Sequence, residues 1–222
     1  MAHYLEVMYA KNLKPVTDYP NKLCAYLFNR FAMTKGTTVV DVGCGRGDFI
    51  EAFRKLDLNA IGLDREIVTL NDPSIDFHGN INFEKDNFPL PDATVDVVFS
   101  KSVIEHIHNP EQFMHEIKRI LKPGGRVIIM TPDWQSQVYT FYNDYTHVQP
   151  YITSGLANLL KLSDFHDVQS ELFYQLPSVW RWPFLRIILK PLRLLWPVKK
   201  MKKSSYWRWS RELMILGTGT KK

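Results

Sequence analysis

Val39-Val40-Asp41-Val42-Gly43-Cys44-Gly45-Arg46-Gly47-Asp48-Phe49 is the stretch that decides the fold. A β-branched strand runs straight into a glycine-rich turn, with an acid two positions before the first glycine. Glycines at 43, 45 and 47 let the backbone turn tightly and lie flat against a ligand, because no Cβ stands in the way. The helix predicted to follow from Asp48 points its first amides at whatever sits on that loop, so a nucleotide-like ligand is expected. Spacing narrows the kind. The dinucleotide fingerprint G-x-G-x-x-G needs its third glycine where this chain has Asp48, and the P-loop needs a G-K-[ST] that does not follow. What stands here is D-x-G-x-G-x-G.

Outward from the loop, residues 39 to 131 alternate strand and helix patterns, which predicts a parallel sheet with helices on both faces. Ala60-Ile61-Gly62-Leu63 ends at Asp64, and an acid about 20 positions after a glycine loop is placed to hydrogen-bond ribose hydroxyls. Phe88-Pro89-Leu90-Pro91-Asp92 precedes a buried strand, Val95 to Ser100. Ser102-Val103-Ile104-Glu105-His106-Ile107 comes next, then a helix over 110–121. Lys122-Pro123-Gly124-Gly125 stops that helix, and Arg126 to Thr131 makes the fifth strand. Upstream, Leu23, Tyr26, Leu27, Arg30 and Phe31 recur at helical spacing, so residues 1–36 read as a helical N-terminal cover on a domain spanning 37–222.

In this order the motifs resemble those of the class I S-adenosylmethionine-dependent methyltransferases, in the branch holding quinone-biosynthesis and many small-molecule enzymes. The resemblance implies an α/β fold: a doubly wound, Rossmann-like, mostly parallel seven-stranded sheet with an antiparallel last strand. It implies S-adenosylmethionine as cofactor, with Gly43, Gly45 and Gly47 under its methionine and ribose, Asp41 near its ammonium, and Asp64 on the ribose hydroxyls. For the adenine pocket both Asn80-Ile81 and Asn82-Phe83 fit, and Ile81 is the candidate contact. Ser100 and Ser102, at the end of the fourth strand, are expected to face the cofactor. Arg211 to Gly219 resembles the last strand of that fold, a hairpin partner closing one edge of the sheet. Residues 176–209 are then an insertion that starts on the ligand face.

The acceptor side is read from Asn143-Asp144-Tyr145-Thr146-His147-Val148-Gln149-Pro150-Tyr151-Ile152-Thr153, which follows the fifth strand and gathers hydrogen-bonding aromatics around one histidine. It resembles an H-x-x-P-[YF]-T stretch of family members that act on sugars and other small acceptors. A neutral His147 can take a proton from an attacking hydroxyl, or it can fix the loop through a backbone hydrogen bond. Both readings stand, with His147 the catalytic candidate and His106 read as a structural histidine or one lining the pocket edge.

Composition sets the limits. Two cysteines, at 24 and 44, form no disulfide framework and fit a reducing cytoplasm. There is no C-x-x-C or H-E-x-x-H spacing, so no metal site is expected. No apolar run reaches about 18 residues, so no spanning helix is expected, and the N-terminus lacks a secretory pattern. The net charge of +5 conceals a division: residues 1–180 sum to −6 and residues 181–222 to +11. A basic terminal segment on an acidic body predicts a local anionic partner and no nucleic acid. Arg186, Lys190 and Arg193 share a helical face, flanked by Trp180, Trp182 and Trp196 and followed by Lys199, Lys200, Lys202 and Lys203. That pattern suits an anionic membrane surface or the outside of a lid, and Pro191 predicts two short helical pieces. The expected function is methyl transfer to a small acceptor, foremost an oxygen of a sugar or glycan intermediate. A lipid or quinone acceptor at a membrane and a non-catalytic binding module are the alternatives.

Overall fold

The computed structural model describes residues 17–68, 70, 72–195 and 205–222. Strands β1 (Thr38–Val42), β2 (Asn59–Leu63), β3 (Asp76–His78), β4 (Val95–Lys101), β5 (Leu121–Pro132), β6 (His166–Phe173) and β7 (Met214–Thr220) form one sheet in the order β3-β2-β1-β4-β5-β7-β6. The first five are mutually parallel, and β7 runs antiparallel to both β5 and β6.

The central strands read as continuous apolar runs because both of their faces are covered. Val40, Val98, Val127 and Ile129 turn to one face, against helices α3 (Pro110–Ile120) and α5 (Thr153–Leu162). Val39, Val97, Phe99, Ile128 and Met130 turn to the other, against α1 (Tyr19–Arg30) and α2 (Asp48–Arg54). Two layers of core therefore sandwich the sheet, and burying each Val, Ile or Phe side chain contributes about 1.5–3 kcal/mol.

Local sequence explains where α3 begins and ends. Asn109 caps it by accepting from the Gln112 amide at 3.2 Å, and Pro110 occupies its first turn. The chain leaves helical geometry at Leu121, directly before Lys122-Pro123-Gly124. Glu116 on this helix is buried and accepts from the Phe88 amide at 2.7 Å, while Arg119 binds Glu116 and the Phe88 and Leu90 carbonyls. This charge-assisted knot holds the segment leading into β4 against the helix.

The last strand pairs antiparallel with the strand before it, and the β6–β7 hairpin closes one edge of the sheet as expected, with β7 on the inside against β5 and β6 outermost. One expectation needs correction. Pro191 does not divide the basic segment. Helix α7 (Leu185–Leu195) continues through it, with Pro191 unable to donate to the carbonyl one turn back.

One turn of helix, α4 (Trp134–Gln137), follows β5, and the segment before β7 also contains α6 (Pro177–Arg181) and α8 (Ser205–Arg211). Trp180 faces inward, stacked near Tyr26 (5.0 Å) and Phe173 (5.4 Å), with its indole N–H donated to the Tyr174 carbonyl. Leu189 is buried with Tyr174, Leu176, Val179 and Leu213. Trp182, Phe184, Ile187 and Ile188 are exposed, Ile187 to 76 %. Trp196, Lys199, Lys200, Lys202 and Lys203, like residues 1–16 of the N-terminal cover, lie outside the described residues. Among the described residues no helix is long and apolar enough to cross a membrane.

The sheet fixes where a ligand can sit. From β1 the chain moves outward to β2 and β3, then crosses back to β4 on the other side. The carboxyl ends of β1 and β4 therefore flank the crevice at the reversal of strand order, where doubly wound sheets bind ligands.

Candidate active site

At the end of β1 the backbone enters left-handed geometry three times, with φ of +81° at Gly43, +53° at Gly45 and +82° at Gly47. A Cβ on Gly43 would stand 2.1 Å from Val103 Cγ2, so the loop needs glycine there for space as well as for φ. A Cβ on Gly45 would meet nothing within 4 Å. That backbone surface is open to the crevice.

Asp41 and Asp64 stand below the loop. Asp64 is buried and holds the loop closed: its Oδ2 accepts from Gly45 N at 2.7 Å, and its Oδ1 from Glu66 N at 2.9 Å. A carboxylate has about four acceptor positions, so these bonds leave capacity for hydroxyl donors. Burial pushes its pKa up, against the pull of the Glu66 and Gly45 amides. Asp41 is 2 % exposed, and its Oδ2 is buried with no hydrogen-bond partner. Burial first, and the Asp64 charge second, push its pKa up to about 8, with Lys101 acting in the other direction. Burial and the Asp64 charge outweigh Lys101, so the protonated form of this carboxyl is favoured.

Beside this pair a cleft of ≈ 430 Å³ is lined by Arg65, Glu66, Asn80, Ile81, Asn82 and Asp86. Asn80 and Ile81 of the one expected adenine pair line this cleft, and so does Asn82 of the other. The Ile81 amide donates to the Asp64 carbonyl at 3.2 Å. Phe83 instead packs edge-on against Phe88 inside the core. Ser100 is also turned inward, with its hydroxyl donated to the Val42 carbonyl at 3.0 Å. It pins β4 to β1, and its side chain does not face the crevice as expected. Ser102 is half-buried at φ +59°, its amide bonded to the Met130 carbonyl at 2.8 Å. That strained backbone turns the chain out of β4.

Glu105 and His106 follow on a 3₁₀ turn, Ile104–His106, and here the histidine loop meets them. The His106 and His147 rings lie 4.7 Å apart at 64°. His147 Nδ1 is 2.6 Å from the Phe141 carbonyl, and His106 Nδ1 is 2.9 Å from Thr146 Oγ1. The Glu105 carbonyl accepts from the Val148 and Gln149 amides, which fastens the loop to the turn. Thr131 donates to Glu105 Oε2 at 2.9 Å. Burial pushes the Glu105 carboxyl up to about 7.

His147 does hold its loop, through Nδ1, and it also stands in a cluster, so the two sequence readings are not exclusive. His106 is its partner and not a bystander. Glu105 escaped the sequence reading. Its signal was an acid set among Val103, Ile104 and Ile107, since such a carboxyl is rarely fully buried unless it is paired.

Comparison with known proteins gives a concordant result. A family described as "Methyltransferase domain" matches residues 15–170. A Mycolicibacterium smegmatis protein named "Probable S-adenosylmethionine-dependent methyltransferase" is 38 % identical over 104 residues, covering 44 % of this chain and 39 % of that protein. The mitochondrial ubiquinone biosynthesis O-methyltransferase of Dictyostelium discoideum is 32 % identical over 114 residues, covering 44 % of this chain and 36 % of that one. The chain thus spans about two fifths of the length of these curated relatives. The crystal structure of a SAM-dependent methyltransferase from Archaeoglobus fulgidus superimposes with a TM-score of 0.68 over 99 % of this chain and 100 % of that one, at 19 % identity. That likeness establishes the fold.

Proposed function

The chain belongs to the methyltransferase-domain family, and on that premise we propose that it transfers a methyl group from S-adenosylmethionine to an oxygen of a small acceptor of the sugar or glycan-intermediate class. The observation that carries the cofactor is the buried, unpartnered Asp41 Oδ2 beneath an open glycine loop. An ammonium group is what such an oxygen lacks. Asp41 would take the cofactor's ammonium, Gly43, Gly45 and Gly47 its methionine and ribose, Asp64 the ribose hydroxyls, and Ile81 the adenine. Ser102 adds backbone at the end of β4. When bound, S-adenosylmethionine supplies an electrophilic methyl carbon on a sulfonium centre.

The chain's own work is to place the acceptor and manage its proton. The Phe141 carbonyl can only accept, so His147 Nδ1 carries hydrogen and the lone pair of the neutral ring is on Nε2. That nitrogen is the group that activates the acceptor hydroxyl, most simply as a general base. An imidazole suits an oxygen nucleophile, whose proton must leave as the new C–O bond forms. The D. discoideum relative is an O-methyltransferase by name. Two measurements test this reading together. Calorimetry should show S-adenosylmethionine binding and no NAD binding. His147→Ala should lower kcat roughly 10²–10⁴-fold with cofactor affinity unchanged. NAD binding in place of S-adenosylmethionine, or an unchanged kcat, would sink it.

A lipid-borne acceptor is the second reading, favoured by the exposed Trp182, Phe184, Ile187 and Ile188 in a segment of +11 charge. Apolar side chains among cations suit an anionic bilayer surface. The protein should then co-sediment with anionic vesicles and release as salt screens the attraction. Absence of co-sedimentation at low salt removes this reading and leaves the soluble acceptor.

A further inference from the structure

Glu105, His106 and His147 each bring one ligand-type atom to a common space, where the three atoms lie within 4.8 Å of one another. The chain brings them from two segments about forty positions apart, and the surroundings of each are specific. His147 donates Nδ1–H to the Phe141 carbonyl. At His106 the hydrogen-bond network gives the same answer. The single hydroxyl proton of Thr146 goes to Asp144 Oδ1 at 2.6 Å, so Thr146 Oγ1 accepts from His106 Nδ1, 2.9 Å away. The Thr146 carbonyl, at 3.3 Å, accepts from the same side. Both imidazoles therefore keep their lone pairs on Nε2. A ring N–H anchored to a carbonyl or hydroxyl, with the other nitrogen presented as donor of a lone pair, is the arrangement that orients metal-binding histidines.

The third ligand carries the stronger signal. Glu105 is fully buried, and Thr131 satisfies its Oε2, yet its Oε1 is buried with no hydrogen-bond partner. Leaving a carboxylate oxygen in that condition is costly unless a cation or a donor meets it. We infer that Glu105, His106 and His147 form a binding site for a divalent first-row transition-metal cation. Two imidazole nitrogens and one carboxylate oxygen carry a single negative charge. They suit Zn²⁺, Mn²⁺ or Co²⁺ better than Ca²⁺ or Mg²⁺, which prefer oxygen alone. Ligand atoms around such an ion, each about 2.0–2.2 Å from it, stand roughly 3–4 Å apart. Binding would draw the three atoms, now within 4.8 Å of one another, to that spacing.

Three protein ligands leave coordination positions open. An acceptor hydroxyl bound there would lose its proton more readily, as metal-bound water does. This part rests on the oxygen-methylation reading above and moves the His147 lone pair from the acceptor proton to the cation. The site itself does not depend on that reading.

The test uses the full chain, stripped with chelator and dialysed. Titrated with Zn²⁺, Mn²⁺ and Co²⁺ in turn, it should bind one cation per chain by calorimetry. Co²⁺ should give visible absorption bands of a nitrogen-and-oxygen-ligated ion, a readout that needs no variant and no activity. Glu105→Gln keeps the shape and a Thr131 acceptor, and it should weaken binding at least tenfold. His106→Ala should do the same, while His108→Ala, at an exposed histidine outside the cluster, should bind as the parent does. No Co²⁺ bands, or equal affinity in Glu105→Gln and the parent, overturns the site. If the stripped protein still transfers methyl groups at full rate, the cation has no part in the reaction and His147 is the base. Cation binding in a protein that transfers no methyl group overturns the methylation reading and leaves the site standing.

Discussion

The glycine loop and the histidine loop sit at the same end of the sheet, yet they are built in opposite ways. The first is a matter of backbone. Three left-handed glycines and one amide donated to Asp64 fix its shape, and every residue concerned lies between Asp41 and Asp64. The second is a matter of side chains. Glu105 and His106 meet Thr146 and His147 across forty positions, joined by the Thr146–His106 bond and by two amides on the Glu105 carbonyl. A shape held by backbone conformation is written in a short string of residue types. A constellation held by converging side chains is written only in the tertiary fold.

The comparison can be broken first at Gly43. Its φ of +81° costs an L-residue about 1–2 kcal/mol, and a methyl placed 2.1 Å from Val103 Cγ2 adds an overpacking cost of about 1–3 kcal/mol. Gly43→Ala should therefore lose roughly 2–5 kcal/mol of stability in chemical denaturation and bind cofactor more weakly. Adding Val103→Ala removes the clash and not the backbone strain, so the pair should recover part of the loss and never all of it. Full recovery would show that space alone demands glycine here, and no loss at all would end the claim that backbone conformation builds this region. Val103 lies two residues before Glu105. Cation binding at the histidine cluster should survive Gly43→Ala if the two regions are independent, and weaken if Val103 transmits the strain.

What the sequence disclosed follows the same division. Local chemistry marks helix α3, whose start is set by Asn109 and Pro110 and whose end lies before Lys122-Pro123-Gly124. It also marks the glycine loop and Asp64. The β7 strand was visible in Arg211 to Gly219, but its place inside β6 was not, because period-two alternation does not state which neighbour a strand takes. Ser100 was expected to meet the cofactor through backbone and side chain, and its hydroxyl is bonded across to β1 instead. A short polar side chain at a strand end fits a ligand contact and a cross-strand bond equally well. Only the 3.0 Å bond to the Val42 carbonyl decides it. Ile81 and Phe83 share an alternating pattern and the same core, and only the tertiary packing leaves Ile81 also lining the cleft while Phe83 meets Phe88. Pro191 was read as a break because its ring removes one hydrogen bond. The chain still runs helically past it, with Leu189 buried on the body two residues earlier.

The second effect expected is a pH dependence, and it gives the glycine-loop region its own signature. Asp41 has a folded-state pKa of about 8 because burial and the Asp64 charge disfavour its ionised form, against an unfolded value of about 3.9. The folded chain thus holds a proton that the unfolded chain has released, throughout the window between those values. Stability without cofactor is complete below the lower value and falls as pH rises toward 8, by at most about 1.4 kcal/mol per pH unit from this group. Cofactor binding has the opposite sign. An ammonium beside Asp41 favours the carboxylate, so a proton leaves as the complex forms, and affinity should rise from pH 5 to 7 while the ammonium remains charged. Asp41→Asn should flatten both trends by the Asp41 share, the remaining stability slope belonging to the other buried carboxyls. Thermal unfolding and calorimetric titration at pH 5, 6 and 7 measure the two arms on the same samples. If affinity and stability move in the same direction with pH, Asp41 does not meet the cofactor's ammonium, and the glycine loop holds its ligand by some other contact.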